Sequence, residues 1–162
     1  MTAPIGKSAI AGLIPHDGAM CLLDAVIDWS ATAITCRASS HRDAANPMAV
    51  EGQLAGLCGI EYAAQAMAIH GSLVTGAGPR PTAGYLASVR DVVCLVDRLD
   101  LLAGDLVVTA SLLLAEAGRV IYGFDLRCND ETILRGRAAL VLDIGPPIVD
   151  QPAGPPIADQ PA

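Results

Sequence analysis

Positive charge is scarce in this sequence. One lysine, Lys7, and nine arginines stand against 17 acidic residues, a formal net charge of −7. That balance argues against nucleic acid or an anionic membrane surface as the main partner. Metal-ligand patterns are missing as well: Cys21, Cys36, Cys58, Cys94 and Cys128 are scattered, with no Cys-x-x-Cys and no histidine cluster at zinc spacing. The thiols read as small apolar fillers in a reducing compartment. The apolar run after Lys7 is stopped at Ile14 by Pro15-His16, too early for a secretion signal, so a cytoplasmic location is expected. A membrane span needs roughly 20 apolar residues, and the one stretch of that length is broken by Glu61, Gln65 and His70.

What is present is apolar bulk. At 162 residues the chain fits one domain, and its 52% hydrophobic content, 17% charged content and mean hydropathy of +0.47 suggest that some apolar surface enters a subunit interface. An oligomer is expected.

Gln53 to His70 is the stretch around which the rest is organised. It is apolar nearly all round and crowded with small residues (Ala55, Gly56, Gly59, Ala63, Ala64, Ala66, Ala68), so it reads as a helix of about 53–73 wrapped by other structure. Glu61 interrupts it. A buried carboxylate costs several kcal/mol unless paired or hydrogen-bonded, which makes Glu61 a candidate for function. Gln65 falls one turn further on the same face, whereas His70 falls on the opposite side and reads as a cap on the last carbonyls.

Around this helix the pattern has period two. Leu23–Trp29 and Ala31–Ser40 read as a strand pair, and 83–96, 105–115, 120–128 and 132–144 as four more strands separated by Gly- and Asn-containing turns. Neither face of 105–115 is strongly polar, so a cover on both faces is expected. Residues 1–8 read as a flexible N-terminus, 9–144 as the single domain, and 145–162, where Pro-Pro-Ile-x-Asp-Gln-Pro-Ala occurs twice, as a disordered proline-rich tail. Ile10, Leu13, Ile14 and Met20 are expected to face the core from a short helical segment, and His16 to bond a backbone carbonyl. The polar loop 41–52 feeds the buried helix and forms a natural site wall, with His41, Asp43, Asn46 and Glu51 as candidate contributors. The layout is α+β: a curled antiparallel sheet around one long helix.

Three stretches resemble one family. Ile14-Pro-His-Asp-Gly-Ala-Met-Cys-Leu-Leu-Asp-Ala-Val26 is similar to Leu-Pro-His-Arg-x-Pro-Phe-Leu-Leu-Val-Asp-Arg-Val; Gly56-Leu-Cys-Gly-Ile-Glu-Tyr-Ala-Ala-Gln65 to Gly-Val-Leu-x-x-Glu-Ala-x-Ala-Gln; and Leu101-Leu-Ala-Gly-Asp-Leu106 to Val-x-Pro-Gly-Asp-x. These are marks of the hot-dog-fold 3-hydroxyacyl-[acyl-carrier-protein] dehydratases. The resemblance implies that Glu61 is the catalytic carboxylate, that the Gly56 N–H polarises the thioester carbonyl, and that Gln65, Leu57, Asn46 and Pro47 line the substrate. It implies no resident cofactor, since 4'-phosphopantetheine arrives on the substrate, and an acyl carrier protein as partner. Arg42, Arg80, Arg90 and Arg98 are candidates for the phosphate of that arm.

The family's histidine falls, fourteen residues before Glu61, on Pro47, with Asn46 beside it. His41 lies six residues further upstream and is the candidate to replace it through a rearranged loop. The pattern resembles a divergent branch of dehydratase subunits found with aryl-polyene pathways and paired with a more orthodox subunit. A homodimer or a heterodimer with another hot-dog subunit is therefore implied, in which a partner could supply the histidine. Two other functions remain open: a non-catalytic hot-dog partner or acyl-thioester binder, and a hot-dog thioesterase using Glu61 and Gly56 alone.

Overall fold

The computed structural model describes residues 3–76 and 84–142. Seven strands make one antiparallel sheet: β1 (Ile5–Gly6), β2 (Ala25–Trp29), β3 (Ala33–Ala38), β4 (Gly84–Cys94), β5 (Leu106–Glu116), β6 (Arg119–Cys128) and β7 (Glu131–Leu142), in the spatial order β1-β2-β3-β5-β6-β7-β4. A short helix, α1 (Lys7–Ile10), precedes the long one, α2 (Gly59–Thr75), which packs on β3, β5, β6 and β7. This is the hot-dog arrangement that the sequence suggested.

The three long hairpin strands form where the alternation is cleanest. Leu106, Val108 and Ala110 of β5 are buried, and the tight turns that follow use left-handed backbone at Ala117 and Gly118 and again at Asn129 and Asp130, as two-residue hairpins require. The outward face of β5 corrects one expectation. Ser111 is exposed there, and its neighbours across the sheet, Gly123 and Arg137, continue an open polar surface that no described segment covers.

Helix α2 starts six residues later than its apolar pattern suggests. Leu54 N–H donates to Asp100 Oδ1 (2.8 Å), Ala55 is extended and bridges to Arg98, and the Gly56 N–H donates to the Asp97 carbonyl (2.8 Å), so 53–55 run as an extended segment along 97–100. A tight 3-10 turn, Gly56–Cys58, then leads into the helix. Gly59 lets the helix settle on the sheet: a Cβ there would stand 2.6 Å from Leu134 Cδ2 and 2.8 Å from Leu126 Cδ2.

The other side of α2 is covered by the N-terminal segment. Ile10, Ile14, Leu22 and Leu23 are all buried, each such side chain contributing about 1.5–3 kcal/mol. Hydrogen bonds tie this strap to the helix: Ser72 Oγ donates to the Leu13 carbonyl, Gln65 Nε2 to the Met20 carbonyl, and Leu22 N–H to Gln65 Oε1. Order begins earlier than the sequence suggested, because Ile5 and Gly6 pair with Val26 and Ala25. The proline-rich tail lies outside the described residues.

Candidate functional site

Glu61 stands in the first turn of α2, and the strap crosses directly over it. Its Oε1 lies 2.9 Å from His16 Nε2 and accepts from Gln65 Nε2 at 3.1 Å. The i, i+4 spacing accounts for the Gln65 contact; the strap accounts for the His16 contact. Both members of the pair are about a quarter to a third exposed, 30% for His16 and 27% for Glu61, so the couple is open on one side and backed by protein on the other.

Gln65 is fully buried and has no freedom to turn. Its Oε1 accepts from Leu22 N–H at 3.0 Å, and its amide nitrogen donates to the Met20 carbonyl at 2.7 Å and to Glu61. Three polar groups are thereby satisfied by one side chain, and the carboxylate is fixed in place.

The remaining sequence candidates are placed elsewhere or are already engaged. His41 is buried, with Nε2 on the Leu102 carbonyl (3.1 Å), and burial pushes its imidazole below the ordinary histidine range. The structure does not bring it to Glu61. Asn46 is also buried: its amide nitrogen donates to the Ser40 carbonyl and the Tyr62 hydroxyl, and its oxygen accepts from Met48 N–H. It therefore fastens the loop to α2. Tyr62 in turn meets Ser40, whose Oγ donates to the Leu22 carbonyl, so loop, helix and strap form one hydrogen-bonded unit. Pro47 and Leu57 are exposed beside this unit. Gly56 corrects a further expectation, since its N–H is spent on Asp97 and is not free for a ligand.

Arg42 is paired with Asp105 at 2.7 Å and bonds the Ala103 carbonyl; Arg98 is paired with Asp100, whose carboxyl the guanidinium holds down at about 2. Arg80 lies outside the described residues. A hollow of about 380 Å³ opens beside the start of α2, lined by Met48, Val50, Gln53, Ala55, Cys58 and Arg98. A larger one, about 690 Å³, lies on the outward face of the sheet among Thr109, Asp125, Arg135 and Arg137, away from Glu61. Among the described residues no group of side chains is arranged to hold a metal, and no helix is long and apolar enough to cross a membrane.

Sequence reasoning placed Glu61 and Gln65 on one helix face, where the structure has them in contact, and expected His16 to bond a backbone carbonyl, where the structure instead puts its Nε2 against Glu61. The signal was in the first motif, where Ile14-Pro15-His16 aligned without a gap.

Comparison with known proteins places these observations. No curated protein matches the sequence. Among solved structures the chain is similar to the dehydratase heterocomplex ApeI:P from Xenorhabdus doucetiae (24% identity, 82% of this chain and 90% of that one, TM-score 0.72). It is also similar to AziG from S. sahachiroi (14%, 72% and 88%, TM-score 0.54). A third likeness is to a Q49A mutant of the thioesterase PA1618 from Pseudomonas aeruginosa (16%, 72% and 80%, TM-score 0.50). At these identities the likeness establishes the fold, which dehydratases and thioesterases share. The family description for ApeP dehydratase matches residues 8–142, spanning the strap, the Glu61 helix and every long strand, and the chain belongs to the ApeP-like dehydratase family.

Proposed function

We propose that this protein removes water from 3-hydroxyacyl thioesters carried by an acyl carrier protein, with Glu61 as the group that exchanges a proton with the substrate. The observation that carries the reading is the Glu61–Gln65 clamp: in a chain of a dehydratase family, one carboxylate oxygen is fixed at 3.1 Å by a buried amide while the side chain stays partly open to solvent. Elimination needs a base for the C2 proton and an acid for the departing C3 hydroxyl. A held, accessible carboxylate at a helix start suits that task.

With the Gly56 N–H engaged, the thioester carbonyl is offered to the next one, on Leu57, where the first N–H groups of a helical turn lack internal partners and the helix dipole favours developing negative charge. The acyl arm enters beside the 380 Å³ hollow. A second hot-dog subunit packs against the same end of the molecule, a reading supported by exposed Val50, Leu57, Leu95 and Leu101 on the segments flanking the start of α2.

The test is turnover of a 3-hydroxyacyl thioester by the wild-type protein and Glu61→Gln, alone and with a partner dehydratase subunit, following enoyl formation and thiol release. Loss of about 10²–10⁴ in rate on Glu61→Gln is expected. Enoyl formation that ignores Glu61 overturns the reading, and thiol release without enoyl product replaces it with a thioesterase.

A further inference from the structure

We propose that residues 146–150 of this chain, the first Pro-Pro-Ile-Val-Asp, seat on the outward face of the sheet, with Asp150 held between Arg90 and Arg135. That face lies across the sheet from α2 and Glu61, so the site stands or falls apart from the dehydratase reading.

The outward face is charged against the trend of the chain. The strand register puts Arg37, Arg90, Arg127, Arg135 and Arg137 on it, five of the ten basic residues in a protein of net charge −7. Arg37 approaches Asp105, Arg127 is paired with Asp125, and Arg137 with Asp91. Arg90 and Arg135 are exposed and have no ion pair among the described residues. Asp125 stands across from Arg135, but its two oxygens are taken by Arg127 and Thr132. Arg90 faces Arg137 on the neighbouring strand and is diagonal to Arg135, a spacing that long side chains bridge. An acid between the two guanidiniums would relieve their repulsion.

Toward the end of β7 the same face turns apolar. Val141, its cross-strand partner Tyr85, and Leu113 are 46%, 63% and 56% exposed. Leu113 Cδ1 borders the gap left by Gly123, 3.7 Å from where a Cβ would stand. The 690 Å³ hollow runs from Gly123 to Arg135 and Arg137.

Residues 143–162 follow directly on β7 and contain Asp143, Asp150 and Asp159 with no lysine or arginine. Pro-Pro-Ile-Val precedes Asp150, so the segment is apolar and then acidic. Going back along β7, the face is apolar and then basic, in the matching order. The lengths agree as well. Arg137 and Arg135 lie about 17 and 24 Å before Leu142 along the strand. With 143–145 spent on the reversal, 146–150 advance about 16 Å at the polyproline rise, and the arginine side chains span the remainder. The second Pro-Pro-Ile-x-Asp puts Asp159 about 28 Å further on, past Arg135. Proline fixes φ in advance, which lowers the entropy lost on seating.

The test is nitrogen-15 relaxation on the full chain at low salt. The amides of 148–151 are expected to relax like the domain in wild type. They are expected to lose that restraint in Asp150→Asn, in the double variant Arg90→Gln with Arg135→Gln, and at high salt. The Nε–H resonances of Arg90 and Arg135 are expected to shift in Asp150→Asn, a change outside the domain, and to stay put in Asp159→Asn. Free-chain relaxation of 148–151 in wild type, or arginine resonances that ignore Asp150→Asn, overturns the proposal. A restraint that fades on dilution shows the segment seated on a second copy and overturns seating within one chain.

Discussion

The Tyr122 hydroxyl meets His70 Nδ1 at 2.8 Å, with the two rings nearly perpendicular at 85° and their centroids 5.6 Å apart. Burial pushes the Tyr122 phenol up to about 12, so it stays protonated and is the donor. The second His70 nitrogen then carries the hydrogen and donates to the Ser30 carbonyl at 2.9 Å. One imidazole thus joins α2 to β6 and to the turn between β2 and β3, in place of the helix cap suggested by its position. Tyr122→Phe leaves Nδ1 buried and unmatched, and a loss of about 1–3 kcal/mol is expected. The shift of the urea midpoint measures it.

His41 makes stability depend on pH. Its folded value lies below the ordinary 6.5 because burial disfavours the charged ring. The unfolded chain therefore binds the proton more readily. The contribution is full above about pH 6.5 and is lost as pH falls through the folded value. His41→Gln should flatten the decline in unfolding free energy between neutral and mildly acidic buffer, relative to wild type. An unchanged slope would contradict the assignment.

Replacing Gln65 by Leu preserves bulk and removes every polar contact of the clamp. Leu22 N–H and the Met20 carbonyl are then left without their partner, at about 1–3 kcal/mol for each group that stays buried. Turnover should fall further than stability explains, since Glu61 loses its fixed orientation. Rate at a temperature where the variant is fully folded separates the two effects.

Gly56→Ala tests the extended segment before α2. A Cβ there would stand 2.0 Å from the Val96 carbonyl oxygen and 2.8 Å from Cys94 Sγ, and the first of these is backbone. Overpacking of this kind costs about 1–3 kcal/mol. A lower melting temperature is expected, and an unaltered one would show that 53–58 is held less tightly than described.

The strands were legible because β5, β6 and β7 carry their own instructions: alternation along each strand and turn residues at Ala117-Gly118 and Asn129-Asp130. The start of α2 was not. Leu54 and Ala55 have helix-compatible chemistry and are drawn into extended backbone by Asp100 and Arg98, more than forty residues away. The same division runs through the site. Gln65 reaches Glu61 by helical spacing, which a sequence displays; His16 reaches it because a strap folds over the helix, which spacing does not display. The open outer face of β5 was misjudged because Val107 and Leu113 look like core residues until Arg127, paired with Val107, and Arg137, across Gly123 from Ser111, are seen on the same face.

The strap that brings His16 to Glu61 also orders events in time. Hairpins β5–β6 and β6–β7 close over turns of two residues, whereas Leu22 finds Gln65 across 43 residues and Met20 finds it across 45. Contacts between distant residues are slow to form because loop-closure entropy must be met before they reward it. By that measure the two hairpins close ahead of the strap, and ahead of the β3–β5 pairing, where Ala38 meets Leu106 across a still longer stretch of chain. A chain with only its hairpins closed lacks both the Gln65 clamp and the His16–Glu61 contact, so the surroundings of the carboxylate are completed after the first part of the sheet.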